Sequence, residues 1–108
     1  MSVAIHPSAA EGANGNSAPI QSPPNAIGIG IDISAQSGTT PTIDFEVEWS
    51  PDGVNFGSAE TPDTFTQIGA ATPTVAKRFT VKAPWYRLVW TLGGTTPNYT
   101  FAAYATHG

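Results

Sequence analysis

Gly38-Thr39-Thr40-Pro41-Thr42-Ile43-Asp44-Phe45-Glu46-Val47-Glu48-Trp49-Ser50-Pro51-Asp52-Gly53 is the stretch that decides the fold class. Ile43, Phe45, Val47 and Trp49 alternate with Asp44, Glu46 and Glu48. A period of two is the pattern of a half-buried strand, with apolar side chains toward a core and carboxylates toward water or a partner. Gly-Thr-Thr-Pro opens the strand and Ser-Pro-Asp-Gly closes it, both turn-forming runs. The opening corner returns as Gly94-Thr95-Thr96-Pro97.

Moving outward, Ile27, Ile29, Ile31 and Ile33 alternate with Gly28, Gly30, Asp32 and Ser34, which predicts a second strand. Gly28 and Gly30 weaken it intrinsically and point to a close approach of backbone or a bulky side chain on that face. Residues 35–40 are expected to turn. Beyond Gly53, Val54-Asn55-Phe56 is expected as a short strand or hairpin return and residues 57–63 as the longest loop. Residues 64–68 alternate again, and residues 75–82 predict a strand with Phe79 and Val81 inward. Pro84 ends that run. Trp85 to Leu92 carries apolar bulk on both faces, so a central strand covered on both sides is expected. Residues 98–106 close the chain with Tyr99, Phe101 and Ala103 on one side.

Six to seven short strands, turns at regular spacing and no helical period predict an all-β fold, an antiparallel β-sandwich or jelly-roll-like barrel. The β-domain is expected over residues 26–108. Residues 1–25 hold mostly Ala, Ser, Asn, Gly and Pro, with Val3, Ile5 and Ile20 as the large aliphatics. Such a segment buries too little by itself to offset its ordering entropy. It is expected as an extended N-terminal arm, lying on a sister subunit, on a larger assembly or on its own sheet. The repeated Gly-Thr-Thr-Pro admits two accounts, paired strand–corner–strand units or reuse of a good corner. Four shared residues favour reuse. An ungapped superposition of the two corners sets Phe45 on Phe101 and Ile33 on Val89.

Composition excludes several functions. The 108 residues carry four Lys and Arg against eight Asp and Glu, a formal charge of −4. Phosphate binding needs clustered cations, so no nucleic-acid partner is expected. No apolar run approaches the ~18 residues of a membrane-spanning helix, so no membrane partner is expected either. Cysteine is absent, which removes disulfides and thiolate metal sites. With no basic n-region or apolar h-region, the chain is expected in the cytoplasm of the cell that makes it.

The acidic row offers the one cluster of candidate chemistry. Asp44, Glu46 and Glu48 share a face at ~6.6–6.8 Å spacing. Glycoside hydrolysis needs two acids facing across a cleft, which a row on one strand lacks. A calcium site would need further oxygens, with Asp52 or Asp63 as the available recruits. The favoured role is a solvated or interface face, or one paired with Lys77, Arg78, Lys82 or Arg87. His6 and His107 sit in no triad or metal spacing and are expected to be exposed. Trp49, Trp85, Trp90 and Tyr104 are candidates for the stacking platform of a carbohydrate-binding module, although core packing is the commoner fate of such aromatics. No enzyme activity and no cofactor are expected.

The run from Ser37 through Phe56, then Lys77-Arg78-Phe79-Thr80-Val81 and Trp85 through Phe101, resembles small virion proteins of tailed bacteriophages. The resemblance spans about residues 26–106, with Phe56 where the pattern often has tryptophan. It implies a β-sandwich capsid decoration (cement) protein, often a homotrimer, on the virion surface with the major capsid protein as partner. A small tail component is the alternative. It implies no catalytic residues. The arm lies outside the resemblance; by its own composition it offers Val3, Ile5 and Ile20 as interface candidates, beside Asp44, Glu46 and Glu48 on the opening strand.

Overall fold

The computed structural model describes residues 2–107. Its regular structure is entirely strand: β1 (Ser2–Glu11), β2 (Gly15–Asn16), β3 (Ile20–Gln21), β4 (Ala26–Ser50), β5 (Gly57–Thr64), β6 (Thr74–Thr80) and β7 (Trp85–His107). All pairings are antiparallel. The hydrogen-bonded path runs β1-β7-β4-β5, with β2 and β3 on β7 and β6 on β4, and it does not close into a barrel.

Two strands dominate, and neither is straight. At the usual rise, the 25 residues of β4 would stretch ~85 Å, whereas the longest extent of the molecule is 40 Å. Trp90 and Phe101 are both in β7, and eleven residues of straight strand would part them by ~37 Å. Their ring centroids lie 5.3 Å apart, at 75°. Phe45 of β4 meets Phe101 in the same edge-on way at 5.1 Å. Each long strand therefore folds back across the core, and its two halves lie in opposite layers.

One layer holds β1, the second half of β7, the first half of β4, and β6. The other holds β2 and β3, the first half of β7, the second half of β4, and β5. Ile27, Ile29, Ile31, Ile33, Phe79, Phe101 and Ala103 face inward from the first layer and are buried. Ile43, Phe45, Val47, Tyr86, Leu88 and Trp90 meet them from the second. The result is the two-layered, alternately patterned core of a β-sandwich.

The bend is made by the two Gly-Thr-Thr-Pro runs, which pair with each other at Thr39 and Thr95. They match in detail. Gly38 and Gly94 have φ of 113° and 98°, and Thr40 and Thr96 both have φ of 46°. Each of those threonines donates its hydroxyl to the preceding carbonyl at 2.8 Å. A Cβ on Gly38 would lie 2.7 Å from the Thr96 carbonyl oxygen, and one on Gly94 would run into the Thr40 carbonyl. The residues were expected to turn; they bend a strand that keeps pairing on both sides.

The surrounding pairs repeat the symmetry. β1 flanks the second half of β7 as β5 flanks the second half of β4. β6 flanks the first half of β4 as β2 and β3 flank the first half of β7. The pairing thus has an approximate two-fold centred on the corners, which goes beyond reuse of one turn. A register break between Ile33 and Ala35 adds one residue to β4. Trp90, not Val89, is consequently the buried counterpart of Ile33.

Within residues 2–21, strands β1, β2 and β3 pair with β7, so this segment lies on its own sheet, one of the three placements expected for it. Residues 57–64 form edge strand β5, not a loop. Residues 51–55 bend between the antiparallel neighbours β4 and β5, which makes this run the hairpin return of the two alternatives expected.

Candidate interface surfaces

The outer face of the second layer carries the acidic row. Asp44, Glu46 and Glu48 lie opposite Thr91, Val89 and Arg87, all half-buried except the exposed Thr91. Of the four basic residues, Arg87 alone reaches the row: its Nη2 lies 2.8 Å from Glu48 Oε1, and its guanidinium covers the Phe56 ring at 4.6 Å. Asp44 accepts from Gln67 Nε2 at 3.0 Å. Glu46 Oε2 is buried with no hydrogen-bond partner. The row is therefore three separate arrangements rather than one site.

The proposed recruits are held elsewhere. Asp52 Oδ1 accepts from the Val54 and Asn55 amides and from the Ser50 hydroxyl, all at 2.9 Å. Those hydrogen bonds, led by the Asn55 amide, hold its carboxyl far below the usual carboxylate range. Asp63 accepts from Trp49 Nε1 at 2.8 Å and pairs with Lys82 at 2.9 Å. Among the described residues no group of three or more His, Cys, Asp or Glu is placed to hold a metal ion.

The aliphatic candidates turn inward. Ile5 is buried in the core, and Val3 and Ile20 pack against it. They hold β1 and β3 onto the domain, with Val3 and Ile20 left half-buried. The signal for Ile5 was present in the sequence, since Val3 and Ile5 keep the period of two.

His6 was expected to be exposed and is buried. Its ring stacks on Phe101 at 4.1 Å and meets Trp90 edge-on at 5.1 Å. Nδ1 lies 2.9 Å from the Phe101 carbonyl oxygen and Nε2 2.8 Å from Glu11 Oε2. Both ring nitrogens thus face oxygen acceptors. His107 is half-buried, and its Nε2 lies 2.6 Å from the Tyr86 hydroxyl. Burial lowers the His107 pKa and pushes that of Tyr86 well up. Both histidines clasp strands together.

The four candidate stacking aromatics are not brought together. Trp49 and Trp90 are buried. Trp85 lies against Gly53 on the outside of the second layer. Tyr104 is 45% exposed, on the outside of the first.

That first outer face is built differently. Gly28 and Gly30 leave a groove of about 420 Å³ between Ala76 and Arg78 on one side and Tyr104 and Thr106 on the other. The Tyr104 ring comes within 3.7 Å of where a Gly30 Cβ would stand. The bulky neighbour expected over these glycines is thus met at Gly30 by Tyr104, while Gly28 has only the Thr106 Cβ at 3.9 Å. Arg78 is exposed.

No protein-family model matches the chain, and no curated protein matches it.

Proposed function

We propose that the chain is a structural virion protein of a tailed bacteriophage. In this proposal it is a capsid decoration (cement) protein that sits on the head as a homotrimer and binds the major capsid protein. The observation that carries it concerns the residues behind the resemblance. The Gly-Thr-Thr-Pro corners bend the two long strands, and Ser50 and Asp52 bond the turn that follows. Every one of these motif residues serves the framework. Around them lie two broad sheet faces, one acidic and one floored by glycine, which suits contact with a protein lattice better than enclosure of a small molecule.

Purified chain should have a trimer's mass in light scattering. Heads with the chain added should withstand higher temperature than heads without it. A monomer that leaves the thermal transition of the heads unchanged would overturn the proposal. Binding to isolated tails alone would select the tail-component alternative.

The carbohydrate-binding alternative rested on aromatic platforms, and the separation of Trp49, Trp85, Trp90 and Tyr104 removes its main support.

A further inference from the structure

Each of the two layers ends in two edge strands, and exposed edges are a pairing hazard that folds usually blunt. On the first layer, β1 carries Pro7 and two register breaks. On the second, β5 carries Pro62 and one register break. Opposite β5, strands β2 and β3 are two residues each. The fourth edge, β6, is different. Its seven residues contain no proline and pair with β4 at seven consecutive positions without a break.

On its far side β6 pairs with no strand among the described residues. On the outer face Ala76 and Arg78 stand exposed, with the Gly28–Gly30 groove behind them on the β4 side. On the inner face a concavity of about 310 Å³ lies between β6 and the segment after β5, lined by Phe65, Thr66, Val75, Ala76 and Lys77. Successive side chains of an added strand would point alternately to these two faces.

The charges choose the occupant. Lys77 is drawn across the inner face, donating to the Thr64 carbonyl at 2.7 Å and lying 5.5 Å from the centroid of the Phe79 ring. Arg78, at the outer groove, has no ion pair or hydrogen bond among the described residues. A second copy pairing antiparallel through its own β6, centred on Lys77 or on Arg78, would set that cation against its own counterpart, which like-charge repulsion opposes.

We infer that β6 is a docking edge for an extended segment of another protein. That segment carries acidic residues at one parity, toward Arg78, and apolar residues at the other, toward Phe65 and Val75. Main-chain hydrogen bonds supply attachment, while Lys77 and Arg78 guard the edge against strands of the wrong charge. Such docking is open to any partner that offers this segment, in a virion or outside one.

The test uses the full chain and an extended peptide of about seven residues alternating Glu and Val, with an alternating Lys and Val peptide as control. Amide chemical shifts on titration should change along β6 and at Phe65 and Thr66. The Glu peptide should bind at least about tenfold tighter than the Lys peptide. Arg78→Glu lies on an exposed position and should reverse that preference. Equal binding of both peptides, no binding of either, shift changes confined to other strands, or self-association through β6 would overturn the inference.

Discussion

The Tyr86 hydroxyl and the His107 imidazole lie 2.6 Å apart although both belong to β7. A straight strand would part them by ~70 Å. The contact closes a fold-back that starts at the Gly94 corner, and it ties one layer of the sandwich to the other.

The corner glycines are the first place to test this architecture. Gly38→Ala and Gly94→Ala each force a side chain onto a positive φ and into a carbonyl of the other corner. Each should destabilise the chain by about 1–3 kcal/mol in urea unfolding. Gly57→Ala, with nothing within 4 Å of its new Cβ, should change stability little and serves as the control.

The docking of β1 on its own sheet gives a second prediction. Ile5 is 8% exposed and belongs to the core cluster. Ile5→Ala should therefore cost about 2–4 kcal/mol in the same cooperative transition as the rest of the domain. Loss of residues 2–11 to protease, with no change in the main transition, would contradict that docking.

The Tyr86–His107 clasp sets a pH dependence. Burial holds the folded His107 pKa below its ordinary value of ~6.5. The unfolded chain accordingly takes up a proton before the folded one does. Stability contributed by this group is full above pH ~6.5 and is lost as pH falls from there through the folded value. Thermal unfolding from pH 8 to 5 should show a fall on the acid side, and His107→Gln should flatten part of it.

Glu46 bears a buried carboxylate oxygen without a donor, in a strand between Thr64 and Val89. Removing that unsatisfied atom while introducing a β-branched side chain suited to a strand should help. Glu46→Thr is expected to raise stability by about 0.5–1 kcal/mol, measured by the urea midpoint.

Much of the core was legible in the sequence, because Ile27 to Ile33, Ile43 to Trp49 and Tyr99 to Ala103 keep the period of two through to burial. The corners were legible as special but not as bends. A glycine at positive φ reads alike in a terminating turn and in a strand that folds over and continues pairing. β5 was illegible for a different reason: most of it is exposed on both faces at an edge, so no alternation is written into it. His6 depends on Phe101, ninety-five positions away, and no local pattern announces such a partner. The acidic row was read correctly as one face, but its division among Gln67, Arg87 and no partner follows from the pairing register.

The most direct measurement of the proposed role is electron cryo-microscopy of phage heads saturated with the purified chain. The account predicts density in clusters of three at regular positions of the outer capsid lattice, each copy fitted by this two-layered sandwich. A bare lattice at saturating concentration, or density on tails alone, would contradict it.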